Sequence, residues 1–392
     1  MGLLEYLVAS TLLRIVGAVC SRLPAHPRRV VLATARVPVL EGNLAALHAA
    51  IRARDPDREI VLLLEPYSYG FIGKLAYLAR LVRGMYHLRT AGLFVVDNAY
   101  LPIHVAPHRP ATTVVQVWHA PGALKRFGLD AHTPPGEPER RFLHRYYDYV
   151  VCTAARSRLA WAAAFGIAPE RVLPLGTPRT DVFADAAAVA AMRARVLERY
   201  PVLRGRRVVV YAPTFRGRGA AKRAAGDLDG IALRAALPPD HLLVLKAHPN
   251  LDPAATTTAG FDLVVDPVTE INELLTATDV LVTDYSSSIF EWALLRRPLV
   301  LLVPDLGAYE EDPGLYVDYR TEMIGDQVAD TAGVAEAVLA ARVDPAAWDA
   351  FIERHLGAAD GHASDRFVER FLGSRGSVGG RSGTLPRDVR HE

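Results

Sequence analysis

Asp279-Val280-Leu281-Val282-Thr283-Asp284-Tyr285-Ser286-Ser287-Ser288-Ile289-Phe290-Glu291-Trp292 reads as an apolar strand that turns directly into a helix. Three hydroxyls stand at the turn. The first N–H groups of a helix lack internal partners and carry partial positive charge, so they favour an anion. Ser286, Ser287 and Ser288 add donors there, which suits a phosphate or diphosphate. An ordinary Asp/Ser N-cap explains the same residues.

Working outward, the strand-then-helix rhythm repeats along the chain. Short, nearly all-apolar runs at 29–33, 59–64, 93–96, 113–117, 149–152 and 171–175 predict strands. Helices are expected over 43–54 and 72–85. After a helix over 186–199 the rhythm restarts, with strands at 207–211, 241–245, 263–265, 280–282 and 299–302. Helices are expected there over 228–236, 271–276 and 289–296. Such runs fit parallel sheets buried on both faces. The fold class is therefore α/β, in two Rossmann-like halves facing a cleft, with the crossing near 181–200. Residues 25–185 form the first half and 186–372 the second. Residues 373–392 read as a disordered tail.

At 392 residues the chain is long enough for two such domains, and 51% hydrophobic residues exclude a disordered protein. A net charge of +2 gives no field for nucleic acid. Two cysteines, Cys20 and Cys152, far apart in sequence, suit a reducing compartment and no metal cluster. Asp227 and Asp229 have the spacing of a metal clamp, but no strand leads into them closely, so no metal and no cofactor is expected. Residues 1–24 are apolar with a narrow polar side at Ser10, Thr11, Arg14, Ser21 and Arg22. They read as an amphipathic helix on a membrane surface, or else as a first helix packed in the core.

Ligands of such folds bind at the carboxyl ends of strands. His119 follows the strand 113–117 directly, in Gln116-Val117-Trp118-His119-Ala120-Pro121-Gly122, with Lys125 and Arg126 close behind. A neutral imidazole there can take a proton from a hydroxyl, and the two cations can face phosphate. A structural histidine beside a packed tryptophan is the alternative. His248 follows the strand 241–245 in Lys246-Ala247-His248-Pro249, with Lys246 as a further charge. Thr214 and Arg216, in Tyr211-Ala212-Pro213-Thr214-Phe215-Arg216, offer a hydroxyl and a planar fork for phosphate. Arg179 and Asp181, in Gly176-Thr177-Pro178-Arg179-Thr180-Asp181, are expected to pair with each other and order the crossing.

Taken in order, these segments resemble the CDP-glycerol glycerophosphotransferase family of teichoic-acid biosynthesis. The motifs are Gln116 to Lys125, Gly176 to Asp181, Tyr211 to Arg216, His248-Pro249, Thr283 to Ser287 and Gly314-Leu315-Tyr316-Val317-Asp318. The resemblance implies a glycosyltransferase-B architecture attached peripherally to the cytoplasmic face of the cell membrane. It implies transfer of a polyol phosphate from a CDP-polyol donor to a hydroxyl of a lipid-linked polyprenyl acceptor, with release of CMP. Glycerol phosphate is the default and ribitol phosphate the alternative. His119 and His248 would be catalytic. Thr214, Arg216, Lys246, Asp284, Ser286, Ser287 and Ser288 would bind the donor, and Lys125 and Arg126 would touch acceptor or phosphate. Ala120 departs from the family's usual glycine. A sugar transferase using a nucleotide sugar, and a non-catalytic membrane scaffold, are the competing readings. Whether the chain forms a homo-oligomer is left open.

Overall fold

The computed structural model describes residues 3–64, 71–131, 144–216, 223–224, 228–247, 257–266, 269–357 and 359–373. Two six-stranded sheets organise them. The first contains β1 (His26–Thr34), β2 (Ile60–Leu64), β3 (Ala91–Val96), β4 (Thr113–Gln116), β5 (Tyr149–Val151) and β6 (Val172–Leu173), in the order β2-β1-β3-β4-β5-β6. The second is built on β7 (Arg207–Tyr211). A small antiparallel pair, β8 (Phe215–Arg216) and β9 (Arg223–Ala224), stands apart from it. β10 (His241–Leu245), β11 (Leu263–Val264), β12 (Val280–Thr283), β13 (Leu299–Leu302) and β14 (Asp326–Val328) complete it, in the order β11-β10-β7-β12-β13-β14. Both sheets are parallel throughout. The architecture is α/β with two Rossmann-like halves, as the strand patterning predicts.

The strands are apolar on both faces because helices cover both faces. Val209, Leu243 and Val282 pack toward one layer, and Val208, Val210, Leu242 and Leu281 toward the other. In the second sheet the strand order reverses between β7 and β12, and in the first between β1 and β3. Those reversals open crevices at the carboxyl ends of the strands. Thr214 and Asp284 flank the crevice of the second sheet. Arg36 and Asp97 flank that of the first, with His119 at the end of the next strand.

Two helices depart from the simplest two-half division. Ala363–Leu372 lies on the first sheet, although the sequence reading carried the second half to residue 372. Its Phe367 and Val368 bury against the Val30, Leu32, Leu44 and Val95 layer. The first helix, Leu3–Cys20, packs Tyr6, Ala9 and Leu13 inward, with Leu13 joining the cluster of Leu81, Met85 and Leu88. Its outer side shows Leu7, Val8, Ile15 and Val19, each about half exposed or more. Among the described residues no helix is long and apolar enough to cross a membrane.

Candidate active site

His119 owes its position to a sharp backbone turn. Trp118 sits at φ 52°, in the left-handed region that side chains other than glycine rarely adopt. The surroundings hold it there. The Trp118 N–H donates to Gln116 Oε1 at 2.8 Å, and its ring stacks on Phe127 at 4.9 Å and meets Phe165 edge-on. Such strain persists only where the structure over-determines it, and it is common at functional sites. The turn brings the His119 ring beside the Asp97 carbonyl, and no protein group bonds its Nδ1. Burial, and then Arg36 and Arg179, lower its pKa to about 3. The imidazole is therefore neutral at physiological pH and can accept a proton.

Asp97 is not among the residues expected from sequence. It is 4% exposed, and its Oδ1 has no hydrogen-bond partner. Burial raises its carboxyl pKa, against a hydrogen bond from Thr34 and the charge of Arg36. It follows β3 just as His119 follows β4, so the strand-end rule that found the histidine could have found it.

In the second half, Asp284 is 1% exposed and ties the crevice together. It accepts from the Thr214 N–H and Oγ1, both at 2.9 Å, and from Arg216 Nη1 at 2.8 Å. Arg216 also donates through Nε to Asp305 at 2.7 Å and lies over the rings of Tyr285 and Tyr309. Hydrogen bonds and charge from the two carboxylates raise the Arg216 pKa against the effect of burial. Thr214, Arg216 and Asp284 thus form one fixed unit under the turn that follows β12. Asp305 and Tyr309 are further members that the sequence reading did not name.

That turn leads into the helix Ser288–Leu295. Ser287 is its N-cap residue, yet its side chain makes no capping bond. Ser286 Oγ lies 2.8 Å from Ser288 Oγ and accepts from the Ser288 N–H at 3.2 Å. Ser286 and Ser287 are half-buried, whereas Ser288 is buried. Ser286 and Ser287 are therefore the hydroxyls open to a ligand. Lys246, at the end of β10, is 6% exposed and donates to the Asp266 carbonyl at 3.1 Å. Burial lowers its pKa to about 8.

The His119 loop is packed against the second half. Lys125 forms a bridge with Leu315, the Arg126 N–H donates to the Gly314 carbonyl at 2.9 Å, and Lys125 Nζ stands 5.4 Å from the Tyr309 ring centre. Burial lowers the Lys125 pKa to about 8, partly offset by Asp284. Arg126 pairs with Asp130 at 3.0 Å. Lys125 therefore reaches the Arg216–Asp284 unit, while Arg126 pairs within its own loop and lies over the Tyr316 ring of the second half.

The expected Arg179–Asp181 pair does not form. Arg179 points across the cleft to Glu291 and Glu270. Asp181 instead caps the helix Ala363–Leu372, accepting from the Ala363 and Ser364 N–H groups at 2.9 and 2.8 Å. Only Thr180 separates Arg179 from Asp181, within a tight 3-10 turn, Pro178–Ala184, so the two side chains leave it in different directions. His248 and Asp227 lie outside the described residues.

The chain matches the family CDP-Glycerol:Poly(glycerophosphate) glycerophosphotransferase over residues 15–373. It belongs to that family. Among its relatives, the teichoic acid ribitol-phosphate primase of Bacillus spizizenii is 32% identical over 354 residues, covering 88% of this chain and 90% of that protein. The teichoic acid poly(ribitol-phosphate) polymerase of the same organism is 31% identical, and there the chain spans 56% of the relative's length. The teichoic acid glycerol-phosphate primase of Bacillus subtilis is 28% identical over 62% of this chain and 64% of that one. In fold, the wall teichoic acid polymerase TagF superposes with a TM-score of 0.72 at 20% identity, covering 94% of this chain and 95% of that structure. The family is that of teichoic acid polyol-phosphate transferases, and the fold is of the glycosyltransferase-B type.

Proposed function

We propose that this protein transfers a polyol phosphate from a CDP-activated donor to a hydroxyl of a lipid-linked wall-polymer acceptor. Ribitol phosphate is the first choice of polyol, because the primase and polymerase relatives at 32% and 31% identity are ribitol-phosphate enzymes. Glycerol phosphate is the second, favoured by the family's own description.

In this reading the second half (186–362) binds the donor and the first half the acceptor. The Ser286 and Ser287 hydroxyls and the N-terminal turn of the helix hold the diphosphate, with Lys246 adding charge. The acceptor oxygen attacks the phosphorus that carries the polyol. The bond from that phosphorus to the CMP oxygen breaks, and CMP leaves with the electron pair. His119 takes the proton from the attacking hydroxyl, and Asp97 orients that hydroxyl beside it. Burial, and then two cations, hold the His119 pKa low, and the negative charge of a bound diphosphate would act in the opposite direction. His248, catalytic by the resemblance, would steady charge on the transferred phosphate.

The observation that carries the reading is the arrangement of His119. It follows the left-handed turn at Trp118, and its carbonyl is tied through Arg179 to the helix that begins at the serine turn. Positioning plus fixed charge is the main need of phosphoryl transfer. The outer side of the first helix supports attachment to the inner face of the cell membrane, with Leu7, Val8, Ile15 and Val19 as the apolar contact.

The test is CMP release by purified protein, offered CDP-ribitol, CDP-glycerol and a panel of nucleotide sugars together with lipid-linked acceptor. CMP from a CDP-polyol, abolished in His119→Ala, supports the reading. Turnover of a nucleotide sugar alone replaces it with a sugar transferase on the same fold.

A further inference from the structure

Arg179 directs its whole guanidinium inward: both Nη atoms donate hydrogen bonds, and Nε faces a carboxylate as an ion pair without hydrogen-bond geometry. Nη1 donates to the His119 carbonyl at 3.0 Å. Nε stands 2.9 Å from Glu291 Oε1, and Nη2 donates to Glu270 Oε1 at 3.2 Å. The Arg179 main-chain N–H donates to Asn43 Oδ1 at 2.9 Å, and Asn43 Nδ2 donates to the Trp118 carbonyl at 2.6 Å. One arginine thus grips the strained Trp118–His119 turn of the first half and two carboxylates of the second.

Glu291 makes this grip informative. It is 2% exposed and sits in the first turn of the helix Ser288–Leu295. Ser286 and Ser287 open that helix, so a rigid turn of backbone relates Glu291 to them. A buried carboxylate facing a guanidinium gives little net stability, because lost hydration offsets the attraction. The guanidinium itself is fixed by its Nη hydrogen bonds to the His119 carbonyl and Glu270, so the charge of Glu291 is held against a group that is already in place.

We propose that Arg179 and Glu291 are positioning residues of the transfer reaction: a strut that sets how far His119 stands from the serine turn. The inference rests on the polyol-phosphate reading above. In that reading the acceptor oxygen, held at His119, must approach in line with a phosphorus held at Ser286 and Ser287. These groups belong to different halves. Their separation therefore depends on what joins the halves beside them, and an arginine hydrogen-bonded to the His119 turn and Glu270 and ion-paired with Glu291 is suited to fix it. Neither Arg179 nor Glu291 needs to touch donor or acceptor.

The test is a double-mutant cycle of Arg179→Gln, Glu291→Gln and the two combined. CMP release gives kcat, calorimetry with the CDP-polyol turned over by wild type gives donor Kd, and thermal unfolding reports folding. Each single variant is expected to lose about 10²-fold in kcat, since a misplacement near 1 Å costs that much. Donor Kd should stay within about twofold, because the serine turn is intact. The combined variant should be no worse than the poorer single, because both changes remove one link. Losses that multiply, or a donor Kd that rises in step with the fall in kcat, would overturn the strut. Arg179→Lys guards against misfolding: it keeps a buried cation opposite Glu291 but cannot span three anchors. It should fold and lose at least about tenfold in kcat, and full kcat in this variant also overturns the proposal. Wild-type protein that releases no CMP from either CDP-polyol sinks the functional reading instead, so the two failures are distinct.

Discussion

Gly122→Ala is the substitution whose effect follows most directly from the contact between the halves. Gly122 lies three residues after His119 at φ 66°, where an L side chain costs about 1–2 kcal/mol. A Cβ there would stand 2.5 Å from two ring carbons of Phe290, in the helix that begins at the serine turn. Carbon atoms prefer about 3.5–4.0 Å, so something must yield by about 1 Å. The Phe290 ring has little room to do so. It is fully buried, stacked on Phe351 at 5.6 Å and flanked by His355 at 5.8 Å. The loop is also held from its own side, by Gly122 N–H to Thr153 Oγ1 at 2.8 Å and Trp161 Nε1 to the Gly122 carbonyl at 3.2 Å.

Overpacking of this kind costs about 1–3 kcal/mol in addition to the backbone term. The larger consequence is catalytic, because the displacement falls between His119 and the serine turn. A shift of about 1 Å predicts a loss on the order of 10²-fold in kcat. The assay is steady-state CMP release beside thermal unfolding, with donor affinity measured separately. Phe290→Leu removes the ring carbons that the added methyl would strike, so combining it with Gly122→Ala should recover about tenfold of the lost rate. Wild-type turnover and melting in Gly122→Ala would refute the reasoning, since the His119 loop could then move freely against the helix.

Asp97→Asn should lower kcat by about 10²-fold with donor Kd unchanged, measured as CMP release and calorimetry, if the carboxylate orients the acceptor hydroxyl. The pKa values near 8 of Lys125 and Lys246 lie below the ordinary lysine value of 10.5, so above pH 8 the unfolded chain binds more protons than the folded one. Stability should therefore rise as pH climbs from about 8 to 10.5, and Lys125→Met should flatten that rise in denaturant titrations across the window. For membrane contact, Ile15→Glu with Val19→Glu should release the protein from anionic vesicles in a flotation assay without lowering its melting temperature, because both side chains face outward. Deleting residues 1–22 is a poorer test, since it would uncover the apolar surface that Tyr6 and Leu13 cover.

Most of the fold was legible because its signal is local. Val208-Val209-Val210 and Leu242-Leu243-Val244 are apolar whichever way they face, and a chain that alternates such runs with helices has few ways to bury them. β14 escaped notice for the converse reason. It is three residues long, half-exposed at the sheet edge, and begins with Asp326 and Gln327. The helix Ala363–Leu372 is not among the helices expected from sequence, and apolar spacing alone does not tell which sheet its Phe367 will cover. Apolar burial is non-directional, and only the folded chain decides the partner.

The candidate site divides along the same line. His119, Thr214, Asp284 and Ser286 stand at strand ends, and strand ends can be read from sequence. What joins them cannot be read that way. Arg179 is two residues from Asp181, and proximity in sequence suggested that they pair. A chain in a tight turn sends neighbouring side chains in different directions, and Arg179 meets Glu291, far along the chain, instead. An acid in the first turn of a helix is ordinary, because the dipole welcomes it, and Glu291 stands there. Its burial shows that more than a surface preference holds it there, for an isolated buried carboxylate would be costly without the facing guanidinium. Both crevices carry their own chemistry at a reversal of strand order, and each is incomplete alone. In the proposed reading the first half supplies His119 as the base, and the second half supplies the donors that hold the diphosphate. Chemistry between them then depends on the registration of two separately folded sheets, so substitutions at Gly122, Arg179 and Glu291, none of which needs to touch a substrate, should alter rate more than donor binding.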